Sequence, residues 1–377
     1  MDQIIQICRL KNFLYILFIS FALISCSKGS DEQDFIKILD SEWQRGIDKN
    51  PLYASNMGDL KNNDKWPEYS LSEIHDNYEH NKQILNLLNK LNNQDFSDEA
   101  NLNLELFKTK YIKSIELFKF KSYLLPFSHR GGIQLQHESA ETLPLREVKH
   151  YKDWLIRLNN IDSYINGHIE IAKEGINEGV MPPSILMQRV LDQISSQAFT
   201  DPKSSPFYKA FDEMHSSINQ QDRLALQAEA LQVIEEKVMP AYLNLYNFFK
   251  NEYLPNCRDS IGIKNIPNGA EYYEELAKNF TTTDLHPDEI HQIGLNEVKR
   301  IKAEMMKIVE EVNWQGSFRE FLEYLRSDSQ FYFDNSEDLL TEYLATAKRI
   351  DPELVNLFNN LPSIPYGIRP IPMESAP

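Results

Sequence analysis

Few residues in this sequence have the type and spacing for metal or proton chemistry, and the first candidate is a single His-Glu pair. His137-Glu138 is followed by Ser139, Ala140 and Glu141, so an acid stands where the zinc-protease signature H-E-x-x-H has its second histidine. A carboxylate can ligate zinc, but the turn and proline residues around this segment favour a loop. The pattern predicts a structural loop, with a metal site as the less favoured alternative.

Two further histidine pairs have the wrong spacing for a shared site on a helix. His75 and His80 are five residues apart, and so are His286 and His291. Five residues correspond to about 140° around a helix, so the two rings of each pair do not share a face. We expect solvated or helix-capping histidines here, and no zinc ligand set among the nine histidines of the chain.

Other motifs for chemistry are weak or missing. The segment His129-Arg130-Gly131-Gly132 could bind an anion through exposed amides, although an ordinary turn is the favoured interpretation. There is no G-x-S-x-G nucleophile elbow, P-loop or dinucleotide-binding glycine motif. Cys257 is a lone thiol once the two cysteines near the N-terminus are set aside, and a lone thiol is more often a buried structural residue than a nucleophile.

The N-terminus has the pattern of a lipoprotein signal peptide. Arg9 and Lys11 precede the apolar run Phe13–Ile24, whose twelve residues are too few for the ~20 that span a bilayer. The run ends in Leu23-Ile24-Ser25-Cys26, which resembles the bacterial lipobox. We therefore predict a signal peptide at 1–25, acylation of Cys26 and a lipidated tether at 26–34. The alternative is an ordinary secretory signal with a cysteine there by chance.

The lipobox resemblance implies where the chain resides and what it contacts. Acylated Cys26 would hold it in the lipid bilayer, because two or three acyl chains give a stable anchor whereas one gives marginal binding. The predicted location is the periplasmic side of the bacterial cell envelope. Ser27 follows the cysteine, where an aspartate would resemble an inner-membrane retention signal, so the outer membrane is favoured.

The charge of the chain excludes some partners. Removal of residues 1–25 takes away Asp2, Arg9 and Lys11 and changes the formal net charge from −17 to −18. Nucleic acids and anionic lipid surfaces require clustered lysine and arginine, so neither is an expected partner. The mature chain would retain Cys257 as its only unmodified cysteine, which rules out an intrachain disulfide.

Apolar periodicity predicts a mainly α fold over residues 35–377. Ile36, Leu39, Trp43 and Ile47 recur at intervals of three and four, on a helix that must end before Pro51. A long candidate helix runs from Asp222 to Lys250, and we expect Pro240 to kink it or divide it in two. Strand-like alternation is scarce.

The second half of the chain contains clear helix starts. His286-Pro287-Asp288-Glu289 places proline at the first helical position and acids in the first turn, where free amides and the helix dipole favour negative charge. An apolar stripe follows it. Ser317 and Glu320 form a capping-box pattern. The stripe consists of Ile290, Val298, Ile301, Met305, Ile308 and Val312.

Several separated motifs resemble the DUF885 family, and they occur in that family's order. The upstream ones are Ser128-His129-Arg130-Gly131-Gly132, Pro144-Leu145 and Tyr151-Lys152-Asp153-Trp154-Leu155. The downstream ones are Gly269-Ala270-Glu271-Tyr272-Tyr273, Thr281-Thr282-Thr283, the segments His286–Leu295 and Val298–Ile301, Leu361-Pro362, and Pro365-Tyr366-Gly367-Ile368-Arg369-Pro370-Ile371-Pro372. The resemblance covers essentially the whole mature chain.

This resemblance implies a mainly helical, zincin-type metallopeptidase body, often a lipoprotein. The family's metal motif resembles H-E-x-x-P-G-H-H and follows the P-Y-G-I-R-P-like segment. It would fall after Pro377, so no zinc ligand and no catalytic residue maps onto this chain. The resemblance therefore predicts an incomplete domain at 35–377, without a cofactor of its own. Zinc is expected only in the full-length family member.

The expected function follows from the same resemblance. The chain would be the N-terminal part of a lipid-anchored peptidase, inactive as it stands, and a peptide would be the substrate of the complete enzyme. Tyr366 and Arg369 are candidates for the substrate cleft, as oxyanion donor and carboxylate anchor. Packing of Tyr366 and a surface ion pair of Arg369 are the favoured alternatives. The rival function is a non-enzymatic envelope lipoprotein that binds a partner.

Overall fold

The structure is a computed structural model that describes residues 30–199 and 201–371. The predicted signal peptide 1–25 and Cys26 lie outside the described residues. The mainly α fold is confirmed, because the described residues contain many helices and no β-strand. None of their helices has the length and apolar composition needed to cross a membrane. The chain divides into two compact units, of which the first ends at Asp284 and the second begins at Leu285.

The first unit is a layered helical body. Short 3₁₀ turns connect many of its helices. The helices are α1 (Ser30–Lys49), α2 (Pro51–Asn56), α3 (Leu71–Lys90), α4 (Asp98–Phe118), α5 (Ser139–Thr142), α6 (Val148–Asn159), α7 (Ile161–Glu178), α8 (Ser184–Ala198), α9 (Lys209–Asp212), α10 (Gln220–Val233), α11 (Met239–Phe248) and α12 (Gly269–Thr281).

Helix α1 begins at Ser30, inside the predicted tether 26–34. The acids of its first turn bind the loop before α4. Asp31 accepts from the Asn92 amide across 3.0 Å, and Glu32 accepts from Ser97. Acids at a helix N-terminus also interact favourably with the dipole.

The predicted apolar stripe on α1 is partly wrong. Ile36 and Trp43 are 49% and 55% exposed, whereas Phe35 is buried and Ile38 and Leu39 pack beside it. The face of α1 that packs on α3 and α4 is therefore centred on residues one position before those predicted. Glu42 occupies the next turn of that face, and its polar type concealed the true direction of the stripe.

The main core lies between α6, α7, α8, α10 and α11. Trp154, Leu158, Ile165, Val190 and Tyr242 are among its fully buried side chains. Buried positions within one helix recur at helical spacing, as Trp154 and Leu158 do in α6 and Ile161, Ile165 and Ile169 do in α7, which is what amphipathic helices require when they pack face to face.

A buried arginine ties the segment after α2 to this core. Arg157 has no exposed surface, and its guanidinium donates to the carbonyls of Lys65 (2.9 Å) and Pro51 (3.1 Å) and to Ser55 Oγ (2.9 Å). Burial lowers the pKa of Arg157 to about 10, which leaves it charged at neutral pH. The interaction fixes the irregular chain between α2 and α3.

The helix interruption predicted at Pro240 takes the form of a π-helical turn. This turn, Ile234–Val238, connects α10 to α11, and the Met239 amide donates to the Ile234 carbonyl five residues back. Pro240 has no amide to donate, so a widened turn just before it absorbs the missing hydrogen bond without ending the helix. A second π turn, Phe249–Tyr253, follows α11.

The second unit is helical but almost without an interior. Its helices are α13 (Pro287–Glu311), α14 (Phe318–Ser327) and α15 (Ser336–Ile350), followed by the 3₁₀ turn Asp351–Asn356. The predicted starts are confirmed, because both His286 and Ser317 form capping boxes. Val309 is the only buried residue among its described residues.

Candidate functional site

An open groove in the second unit lies between the end of α15 and the chain that follows it. Its volume is about 470 Å³, and its lining is mostly apolar with two charged residues, Lys348 and Asp351. One wall comes from α15 and the 3₁₀ turn after it, and the other from residues 361–368. The lining residues are Leu344, Ala347, Lys348, Asp351, Leu354, Leu361, Pro362, Ser363, Ile364, Pro365, Tyr366, Gly367 and Ile368.

Tyr366 joins the two walls of this groove. Its hydroxyl donates to Asp351 Oδ1 across 2.7 Å and lies 3.5 Å from the Ala347 carbonyl. Lys348 Nζ is 3.2 Å from the other Asp351 oxygen. Hydrogen bonds from Tyr366 and Lys348 lower the pKa of Asp351, and the bond to Asp351 raises the pKa of Tyr366. Tyr366 is therefore a neutral hydroxyl that already donates its hydrogen bond to the Asp351 carboxylate.

The outer wall is an extended segment with unpaired backbone groups. Residues 361–371 form neither helix nor strand, and none of their amides donates to a backbone carbonyl within the described chain. Pro362, Pro365 and Pro370 keep the segment out of helical conformation. The amides and carbonyls of the other residues are thus free to pair with an added extended chain.

Arg369 stands at the end of this wall, beyond the residues that line the groove. Its side chain is exposed, and no described residue pairs with it. The structure thus brings the two sequence-predicted cleft residues to the same segment, with only Tyr366 inside the groove. As an oxyanion donor Tyr366 would first have to leave Asp351, whereas Arg369 has no partner to give up among residues 30–199 and 201–371.

The His137 segment does not fit a zinc site. It lies in a 3₁₀ helix, His137 Nδ1 is 3.2 Å from Gln197 Nε2, and the Glu141 carboxylate is 3.1 Å from Lys209 Nζ. Its donor atoms therefore face other side chains and do not converge. Nowhere in residues 30–199 and 201–371 do three or more His, Cys, Asp or Glu side chains come together to hold a metal ion.

Three of the other histidines have individual partners. His75 is exposed and contacts the Leu71 carbonyl across 2.7 Å, while His286 caps α13 by accepting from the Asp288 amide. These two fit the predicted solvated or capping roles. His80 differs, because its Nε2 is 2.7 Å from the largely buried carboxylate of Glu42.

Sequence reasoning missed the polar group around Glu42. The second carboxylate oxygen of Glu42 accepts from the Tyr111 hydroxyl across 2.5 Å, so His80, Glu42 and Tyr111 connect α3, α1 and α4. Burial and the bond to Glu42 raise the pKa of Tyr111. The three residues are far apart in sequence and share no motif, so only the packing of the helices reveals the group.

The remaining candidates behave as structural residues. In the 128–132 loop, the Ser128 carbonyl accepts a hydrogen bond from the Gly131 amide (3.3 Å), and Ser128 Oγ accepts one from the Arg130 amide. Both amides are therefore used within a turn. Burial raises the pKa of Cys257 to about 12. Its thiol therefore stays protonated at neutral pH and is a poor nucleophile.

Comparison with known proteins identifies the family and the fold. The family described as "Bacterial protein of unknown function (DUF885)" matches residues 51–377. No curated protein sequence matches the chain. A crystal structure described as that of "the putative lipoprotein from Colwellia psychrerythraea" has the same fold, with a TM-score of 0.82 and 19% sequence identity over 92% of this chain. This chain spans 64% of the length of that one.

Proposed function

The chain belongs to the DUF885 family, and on this premise we propose that it is a lipid-anchored protein of the bacterial cell envelope that binds an extended peptide in the Tyr366 groove. The observation that carries the binding proposal is the hydrogen bond from Tyr366 to Asp351, which holds an unpaired extended segment open beside an apolar groove. Peptides bind such edges through their backbone, and apolar pockets take alternate side chains.

Two observations support the anchor. The order Leu23-Ile24-Ser25-Cys26 follows a short apolar core, and the protein with the same fold is described as a "putative lipoprotein". We place the anchor on Cys26 and the folded body on the periplasmic side. Ser27 favours the outer membrane. The acidic chain would then be held by its acyl groups and not by attraction to anionic lipid.

The peptide is the ligand class that the resemblance to zincin-type peptidases implies. Binding itself needs no metal, and the groove offers what it requires: Lys348 and Asp351 on one wall, apolar side chains between the walls, and Arg369 at the end. Arg369 would pair with a peptide carboxylate in a bidentate, charge-assisted contact. Hydrolysis by the family's zinc motif is a proposal for a longer chain, since none of the residues of this chain matches that motif.

The binding proposal is tested with short, unstructured, fluorescein-labelled peptides of about ten residues, each with either a free carboxylate or an amide at its C-terminus. We expect saturable binding that is several-fold tighter for the free acid, because only the acid can pair with Arg369. Arg369→Ala should abolish this preference. Ile368→Asp should weaken the binding of both peptides, because it places a charge in the apolar lining of the groove.

Arg319→Ala is the matched control, because Arg319 belongs to the same unit and is 88% exposed on α14. It should change neither affinity nor preference. Absence of saturable binding, or binding that is indifferent to Ile368→Asp and Arg369→Ala, would overturn the proposal.

A further inference from the structure

Two basic side chains of the second unit lie along the groove, one on each wall. Lys348 belongs to the α15 wall, and its side chain is 85% exposed. Arg369 is exposed on the extended segment 361–371. The acid among the described lining residues is Asp351, which is the ion-pair partner of Lys348.

In the ion pair of Lys348 with Asp351, the lysine is the more open member. The Asp351 side chain is 32% exposed, and both of its oxygens have donors: Tyr366 at 2.7 Å and Lys348 Nζ at 3.2 Å. A lysine ammonium has three N–H groups, and this contact uses one of them. A bound peptide therefore meets an ammonium group that can still donate to a second carboxylate.

An extended stretch of chain separates the two cations. Lys348 and Tyr366 meet at the Asp351 carboxylate, and Arg369 follows Tyr366 by three residues. Residues 365–371 contain no turn or bend, so three residues span about 10 Å at the ~3.3 Å rise of an extended chain. A peptide strand has the same rise, so the separation corresponds to about three peptide residues.

The direction of the side chains brings one peptide residue towards Lys348. A peptide that lies along the groove with its C-terminus at Arg369 runs parallel to the segment 361–371. Neighbouring residues on paired strands point their side chains to the same face. The Tyr366 side chain points to the α15 wall, where its hydroxyl bonds Asp351. The peptide residue beside Tyr366 therefore points its side chain to the wall that contains Lys348.

The charge of the whole chain opposes the binding of acidic peptides. Its formal net charge is −17, which repels an anionic ligand at long range. A preference for an acid at the groove must therefore come from a local contact. Such a contact depends on the position of the acid within the peptide, whereas long-range attraction does not.

We propose that the groove prefers peptides with Asp or Glu three residues before a free C-terminal carboxylate, and that Lys348 determines this preference. The C-terminal carboxylate pairs with Arg369, and the acidic side chain accepts from the open N–H groups of Lys348. The preference rests on the peptide binding proposed above. It adds the class of the ligand, an acidic peptide with two negative groups about 10 Å apart.

The probes are fluorescein-labelled free-acid peptides of about ten otherwise uncharged residues. Each has one glutamate, placed in turn at the first to fifth positions before the C-terminal residue, and a matched peptide has glutamine there. In anisotropy titrations, glutamate at the third position should bind about two- to fivefold more tightly than glutamine, as expected for a solvent-exposed ion pair. The difference should be smaller at the adjacent positions, whose side chains point to the other face. It should shrink at about 1 M salt, where charges are screened.

Three variants assign the two charges separately. Lys348→Gln should remove the preference for glutamate and keep the preference for a free C-terminal acid over an amide. Arg369→Ala should remove the preference for the free acid and keep the preference for glutamate. Lys307→Gln is the matched control, because it removes a lysine charge from an exposed position of α13 in the same unit. It should change neither preference.

Saturable binding with equal affinity for the glutamate and glutamine peptides would overturn this preference and leave peptide binding itself in place. A glutamate preference of equal size at every position, or one that persists in Lys348→Gln, would also overturn it. Absence of saturable binding for every peptide would overturn the proposed function as well. The two failures are therefore distinguishable.

Discussion

The Tyr366 hydroxyl donates a hydrogen bond to the Asp351 carboxylate across 2.7 Å, although fifteen residues separate them. This bond joins the extended segment 361–371 to the turn after α15 and keeps the groove open between them. The same segment contains Arg369, whose charge is not used by any described residue. A single contact therefore positions the groups proposed to bind peptide.

The stability of the groove should depend on pH through the protonation of Asp351. Its pKa is lowered in the folded chain, so the contact contributes stability above the ordinary pKa of 3.8 and loses it as the pH falls through the lowered value. We expect pepsin to cleave faster within 361–371 as the pH falls through the lowered pKa of Asp351. The Asp351→Asn variant should be cleaved rapidly at every pH tested, because its side chain carries no charge to lose. A cleavage rate that stays constant after correction for protease activity would contradict the role of this bond.

Acylation is expected at Cys26. Intact-mass analysis of the membrane fraction should show a diacylglyceryl adduct on a chain that begins at Cys26, and Cys26→Ala should remove both the adduct and the membrane association. Cys257→Ala is the matched control, because it removes the other cysteine that the mature chain would retain. A soluble, unmodified mature protein would contradict the assignment.

Tight zinc binding and peptide hydrolysis are not expected of this 377-residue chain. A zinc site needs three or four protein ligands in tetrahedral geometry, and the spacing of its nine histidines indicates no such set. Metal analysis after dialysis, with a general peptidase assay, tests this. Stoichiometric zinc that is lost in His137→Ala would instead make His137-Glu138 a real site.

Arg157 should be a major contributor to the stability of the first unit. Arg157→Ala would remove the donor to the Pro51 and Lys65 carbonyls and to Ser55 Oγ, and would leave a cavity in place of a fully buried side chain. We expect a loss of about 3 kcal/mol or more in the free energy of unfolding, measured by urea denaturation. Arg189→Ala, at an exposed position of α8, should change it by less than about 0.5 kcal/mol. Equal effects of the two substitutions would show that the buried contacts contribute little.

Much of the fold could be predicted because helix starts are encoded locally. The capping residues His286 and Ser317 lie within three residues of their partners. Ser317 forms the predicted capping box, and the helix after His286 begins at Pro287 as predicted. Pro51 likewise separates α1 from α2 as predicted. Such rules depend only on neighbouring residues, so they can be applied to a sequence without knowledge of the tertiary structure.

Which face of a helix is buried depends less on neighbouring residues than the position of its start does. The apolar types of Ile36 and Trp43 predict a core face on their side of α1, but the core lies on the side of Phe35 and Glu42. The polar group of Glu42, His80 and Tyr111 likewise depends on three helices meeting. At the candidate site, Tyr366 and Arg369 could be named from a resemblance, whereas the bond from Tyr366 to Asp351 could not.

Hydrogen exchange at single amides is the most direct measurement of peptide pairing with the extended segment 361–371. With a saturating free-acid peptide of about ten residues, we predict slower exchange at the amides of Ser363, Ile364 and Ile368, which no backbone carbonyl of the described chain accepts in the free protein. Arg369→Ala should reduce that protection, and Arg319→Ala should not. Unchanged exchange across 361–371 at saturation, or protection confined to the first unit, would contradict the proposed site.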